Sequence, residues 1–204
     1  NAAFIKGFRS VIYNRRGHGK VSLKPKSPNT TNNAKVFPRH CNMDDMHDVM
    51  NHITKLYPRA PIYMIGFSAG ANLLIRSLAV PDISKHIIGA TSVSNGYNIE
   101  LGTELLKKDY VANGIACQFL KDLLYDGRLD ESRKIAEDLN IKIDWQNVLK
   151  SKGLQEIEQH LVLPAYGFDN LKEYYNQDSC HTYFASIKTP LLCLSNMNDP
   201  FVNN

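Results

Sequence analysis

The sequence predicts an α/β fold, a mostly parallel sheet with helices on both faces and a helical insertion between two of its strands. Three observations lead there. Short apolar or β-branched runs alternate with segments of helical periodicity through the first half of the 204 residues. From residue 95 to about residue 188 the pattern is helical, with no convincing buried strand. A buried-strand run, Pro190-Leu191-Leu192-Cys193-Leu194-Ser195, comes next. Strands that recur on either side of helices pair in parallel, because a crossover returns the chain to the same end of the sheet.

At the start of the chain, Arg9-Ser10-Val11-Ile12-Tyr13 reads as a strand, stopped by the polar and glycine-bearing stretch 14–19. Residues 20–41 form a long polar loop. Asn42 is placed to cap a helix that carries Asp44 and Asp45 in its first turn and Met46, Val49, Met50 and Ile53 at helical spacing. Residues 61–66 are apolar throughout, as in a strand buried on both faces. A turn at 67–70 leads into a helix over 71–78, and residues 87–94 form a third strand. In the later block the longest helix is expected over roughly 103–125, weakened near its middle by Gly114, with shorter pieces at 132–139, 145–150 and 171–175. The expected organisation is a sheet-bearing core over 1–95, a helical cap over 96–188 and the start of a second core portion over 189–204. The chain opens on Asn1 and stops just after a strand, so it reads as a segment cut at both ends from a longer protein.

Composition excludes several classes. Hydrophobic residues make up 43% and charged residues 22%, which fits neither a disordered nor a collagen-like chain. The formal net charge is only +4, with 24 basic and 20 acidic residues interspersed, so nucleic acid is not an expected partner. Four scattered cysteines form no CxxC pair and read as free buried thiols in a reducing compartment. No apolar run reaches the ~18 residues of a membrane span.

The chemistry centres on Gly66-Phe67-Ser68-Ala69-Gly70, a G-x-S-x-G motif between a strand and a helix. On such a turn the serine hydroxyl projects from the sheet edge, flanking glycines let the backbone pass closely, and the Ala69 N–H at the helix start can face a developing oxyanion. The serine needs a base, and the base an orienting carboxylate. In this architecture the chain order is serine, acid, histidine, which selects Asp199 after the 190–195 strand. None of the seven histidines comes after Asp199, so the base is expected beyond the C-terminus of these residues. A second oxyanion donor is expected before Asn1.

Two other clusters are set aside. Asp44, Asp45, His47 and Asp48 are explained by the helix dipole, and no metal site is expected. Arg15-Arg16-Gly17-His18-Gly19-Lys20 lacks Walker spacing and reads as a turn after a strand rather than a phosphate loop. Asn29-Thr30-Thr31 is a glycosylation sequon, which matters only in a secretory lumen.

Several segments together resemble the AB hydrolase superfamily: Val11-Ile12-Tyr13-Asn14-Arg15-Arg16-Gly17, Asp44-Asp45, Tyr57-Pro58 with Ala60-Pro61, Gly66 through Asn72, Tyr174-Tyr175, and Asn198-Asp199-Pro200. The most similar branch holds the abhydrolase-domain phospholipases and monoacylglycerol lipases and the yeast medium-chain ethyl ester synthase/esterases. The resemblance implies an α/β-hydrolase fold and a serine esterase or lipase acting on lipid acyl esters, with a triad of Ser68, Asp199 and a later histidine. It implies no cofactor. Family members commonly carry an N-terminal membrane anchor, so the full-length protein is expected to be intracellular and membrane-associated, and to meet a membrane surface. The 204 residues by themselves are expected to be inactive. An acyl-CoA:alcohol acyltransferase using the same site, and a non-catalytic binding protein, are the competing readings.

Overall fold

The computed structural model describes residues 2–18, 21, 23, 37, 39–125 and 129–199. Strands β1 (Ile62–Phe67), β2 (Ile87–Val93) and β3 (Leu191–Leu194) lie side by side in that order, all parallel. Helices α1 (Ala2–Ile5) and α2 (Asp44–Leu56) precede β1, and α3 (Ala69–Leu78) and α4 (Pro81–Ser84) join β1 to β2. Between β2 and β3 run α5 (Ile99–Leu106), α6 (Tyr110–Tyr125), α7 (Leu129–Asp138), α8 (Trp145–Lys150), α9 (Leu154–Tyr166), α10 (Leu171–Asp178) and a 3-10 helix over His181–Ser186.

The register makes one edge of the sheet level. Phe67 lies opposite Val93, and Val93 opposite Leu194, so the three strands end together. The residues just past each strand therefore emerge on the same side: Ser68 after β1, Ser94 after β2, and the turn carrying Asp199 after β3. Hydrogen bonds continue past the strand ends, with Ser68 N–H donating to Val93 O (2.9 Å) and Ser94 N–H to Leu194 O (2.8 Å).

Hydrophobic cores lie on either side of that edge. Beneath it, Leu73, Leu74, Ile75 and Leu78 of α3 pack with Met46 and Met50 of α2 against Ile87 and Ala90 of the sheet. Above it, the helical block has its own core, built around Leu106, Cys117, Leu124, Ile135, Val148, Ile157 and Leu161. Leu23 and Phe37, from before α2, are buried in the same core.

The structure departs from the sequence reading in several places. The run 9–13 pairs with no described strand, and Ile12 is 85% exposed. β propensity describes a side chain's fit to a pleated surface, but a strand exists only through a neighbour's ladder. Strand β1 is not buried on both faces among the described residues. Ile62 and Met64 turn toward α3, while Tyr63, Ile65 and Phe67 are exposed. The expected 103–125 helix is two helices, broken at 107–109 rather than at Gly114. There Asp109 accepts from Ala112 N–H (2.9 Å) through its carboxylate and from Asn113 N–H (2.9 Å) through its carbonyl, starting α6. Asn42 does not cap α2; Met43 holds the N-cap position without a side-chain bond. Helix α9, with Pro164 near its end, has no counterpart in the sequence reading. Pro164 gives up the helical bond to His160 O, and the helix ends within a turn at Gly167, in the left-handed region at φ 72°, whose N–H closes onto Leu163 O (2.8 Å). Of the four cysteines Cys193 is exposed; the other three are buried and all are free thiols.

Candidate active site

Strand β1 delivers Ser68 to the level edge, and α3 begins at the next residue. Ser68 has φ 51° and ψ −122°, a conformation rarely held by a residue with a side chain. Such strain costs on the order of 1–3 kcal/mol and persists only where surrounding contacts impose it. Here the Ser68 N–H is tied to β2, while its carbonyl accepts from Ala71 N–H (2.9 Å) and Asn72 N–H (3.2 Å) in the first turn of α3. Ala69 opens the helix, so its N–H has no acceptor within α3.

The two glycines of the motif are not equivalent. A Cβ on Gly66 would lie 2.5 Å from Gly70 O and 2.7 Å from Ala71 Cα, both backbone atoms. One on Gly70 would meet nothing within 4 Å. Gly66 thus lets the helix start fold back against the strand, whereas the closeness expected of Gly70 is absent among the described residues. Gly66→Ala is expected to destabilise the protein by about 1–3 kcal/mol, as overpacking does. Gly70→Ala is expected to leave the melting temperature unchanged. Thermal denaturation of the pair checks this, and equal melting temperatures would contradict it.

Ser68 and Ala69 open into a cavity of about 400 Å³ between the sheet edge and the helical block. Its wall is largely apolar along α5 and α6, with Ile99, Leu106, Ile115, Phe119, Leu120 and Leu123. Of the α6 stripe, Leu124 is buried in the block's own core while Ile115, Phe119, Leu120 and Leu123 face the cavity. Its other wall is polar: Arg15, His18, Arg39, His40, Asn72, Asn95 and Glu158.

Most of the charge on that wall is internally paired. Glu158, 2% exposed, stands on the apolar face of α9 between Leu154 and Leu161. It lies 2.9 Å from His40 Nε2, an ion pair rather than an aligned hydrogen bond, and accepts from Tyr175 OH at 2.6 Å. Burial pulls the His40 pKa down, but the Glu158 carboxylate more than offsets this and leaves it raised. Burial, reinforced by Glu158, holds the Tyr174 and Tyr175 hydroxyls protonated. Asp178 is fully buried and accepts from Arg39 through both guanidinium nitrogens facing it and from Cys41 N–H (2.9 Å). Arg39 loses stability as a cation through burial and regains more from Asp178, so its pKa is raised. Burial pushes the Cys41 thiol up to about 12, which keeps it inert.

The sequence-derived site residues fall in different places. Ser68 and Ala69 share the cavity. Asp199 lies past β3 on the same sheet edge, its N–H bonded to Asn196 O (3.0 Å), and does not line the cavity. His181, nearest to Asp199 in sequence, is exposed on the 3-10 helix. Asp45, one of the clustered acids, is the ion-pair partner of Arg16, whose Nε donates at 2.7 Å. Among the described residues no group of three or more His, Cys, Asp or Glu side chains is arranged to hold a metal. No described helix is long and apolar enough to cross a membrane. The sequence alone does not single out His40, Arg39, Asp178 or Glu158. Only Glu158 leaves a signal there, a carboxylate on an apolar helical stripe with Leu154, Leu161 and Ala165.

A parallel sheet, a strained serine at a strand-to-helix turn and a cavity roofed by helices define a hydrolase-type α/β architecture. The chain belongs to the alpha/beta hydrolase fold family, which it matches over residues 1–204. It is 25% identical to phospholipase ABHD3 of Homo sapiens over 96% of its length and 44% of that protein's. It is 26% identical to the embryogenesis-associated protein EMB8 of Picea glauca over 95% of its length and 40% of the relative's. With monoacylglycerol lipase ABHD2 of Homo sapiens it shares 23% identity over 97% of its length and 46% of the relative's. The chain thus spans less than half the length of these relatives. No solved structure matches it.

Proposed function

We propose that this chain carries the nucleophile and acyl-binding portion of a serine hydrolase acting on lipid acyl esters. One observation carries the reading: Ser68, in its strained conformation, opens into a cavity whose α5–α6 wall is apolar. Ser68 Oγ attacks the ester carbonyl, and the Ala69 N–H takes a share of the oxyanion. Asp199, on the same sheet edge, orients a histidine supplied by the complete protein; that histidine takes the serine proton and returns it to the leaving alcohol. Water then cleaves the acyl-enzyme. The segment 96–188 acts as the cap, and its α6 wall receives the acyl chain. The names of the phospholipase and lipase relatives support the substrate class, and the lipid substrate brings the protein to a membrane surface.

Acyl-chain preference tests this directly. Each buried methylene contributes ~0.8 kcal/mol, so trimming the wall is expected to shift chain-length preference several-fold. Phe119→Ala with Leu123→Ala, made in the complete protein and assayed on short, medium and long acyl esters, is expected to change the profile while the melting temperature holds. Phe119 is 57% exposed, which is why its loss should spare the fold. An unchanged profile with a lowered melting temperature would assign these side chains to packing alone.

A further inference from the structure

We infer that Arg15, with Asn72 beside Ser68, makes the polar end of the cavity a reader of an anionic oxygen group, phosphate or carboxylate, on the leaving-group side of the substrate. This rests on the reading of Ser68 as the nucleophile and names the class of ester it takes.

Charge is unevenly matched on the cavity's polar wall. Arg39 is paired with Asp178, and His40 lies against Glu158. Arg15 faces no carboxylate in an ion pair among the described residues. Its NH1 donates to the carbonyls of Arg39 (3.1 Å) and His40 (3.3 Å), and its NH2 contacts His18 Nε2 at 3.2 Å. His18 Nδ1 lies 3.0 Å from Arg16 O, so the ring that fits both contacts is neutral, donating from Nδ1 and accepting at Nε2. His18 therefore adds no counter-charge. A guanidinium carries five N–H donors, which leaves protons of Arg15 without an acceptor among the described residues. Burial works against its charge more than the more distant Asp178 carboxylate supports it, and a partly buried cation that faces a cavity and holds no ion pair of its own is stabilised by an anion that enters. Among the described residues the one carboxylate on the cavity wall, Glu158, is already held by His40 and two tyrosine hydroxyls.

Asn72 is the second, independent observation. It is 2% exposed, stands one helical turn after Ser68, lines the same cavity, and has no hydrogen-bond partner at either its amide nitrogen or its oxygen. A buried amide with both ends unmatched is destabilising unless a bound molecule completes it. Its NH2 suits the same anionic oxygens, and its oxygen suits a glyceryl-type hydroxyl.

The test uses the complete protein carrying Ser68→Ala, so that esters bind without turnover. Three lauroyl esters are titrated below their micellar range: 1-lauroylglycerol 3-phosphate, lauroyl lactate and neutral 1-lauroylglycerol. One or both anionic esters are expected to bind about ten- to a hundredfold more tightly than the neutral one, the range of a charge-assisted contact. Whichever anion is preferred names the source. Arg15→Leu and Arg15→Gln are expected to bring the ratio close to one, Arg15→Lys to keep part of it, and Asn72→Ala to reduce it. An unchanged Kd for the neutral ester in the Arg15 variants shows that they retain the cavity. Anionic and neutral esters bound alike by the unsubstituted Arg15 protein would overturn the inference and leave the ester reading intact. A preference that survives both Arg15→Leu and Arg15→Gln would also overturn it. Binding of none of the three would overturn both.

Discussion

Replacing Ser68 by alanine is expected to abolish ester hydrolysis by the complete protein, with a rate loss of at least ~10³, and to abolish labelling by a fluorophosphonate probe. The size reflects the mechanism. In the proposed mechanism the hydroxyl forms the covalent intermediate, and among the described residues no other group on the cavity wall is placed to substitute for it. His40 and Glu158 are engaged with each other, and the Thr103 hydroxyl donates to Ile99 O (2.9 Å). The fold should be indifferent to the change. Alanine keeps the Cβ that makes φ 51° unfavourable, and the anchoring bonds to Val93, Ala71 and Asn72 use only backbone atoms. Equal labelling of both proteins would remove Ser68 from the chemistry. Lost labelling accompanied by a lowered melting temperature would show instead that the hydroxyl supports the turn.

Replacing Asp178 by alanine is expected to cost about 3–5 kcal/mol of stability, the loss seen when one member of a buried pair is removed. Asp178 is fully buried, and its oxygens receive the Arg39 guanidinium and the Cys41 N–H, with Arg76 NH1 3.8 Å away. Without it, Arg39 is left as a cation that is mostly withdrawn from water. The consequence reaches the cavity, because Arg39 and His40 line it and Arg15 is bonded to both of their carbonyls. Denaturant unfolding of Asp178→Ala, beside Asp138→Ala at the exposed end of α7, measures the effect. A difference between the two below about 1 kcal/mol, the range of an exposed pair, would mean that the Arg39 contact contributes no more than a surface one.

Without its tertiary structure, the chain determines whatever depends on neighbours in sequence. An apolar run, a glycine that a helix start can approach, a serine and an amphipathic helix are all encoded between residues 61 and 78, and the β1–Ser68–α3 unit appears there within a residue or two. The same locality makes the helical character of the 96–188 block legible, and Trp145–Lys150 is a helix over the residues expected. Helix ends are less readable where one side chain decides them: Asp109 breaks the long helix, and Pro164 looks like a stop although it falls in the last turn of α9. Tertiary structure alone decided the rest. The run 9–13 has strand composition but no described ladder partner, since pairing belongs to two segments and composition to one. Arg39 and Asp178 are separated by 139 positions, and nothing local to either names the other. Charge attraction falls with distance in space, not along the chain, so only folding shows that Arg39 has an ion-pair partner while Arg15 has none among the described residues.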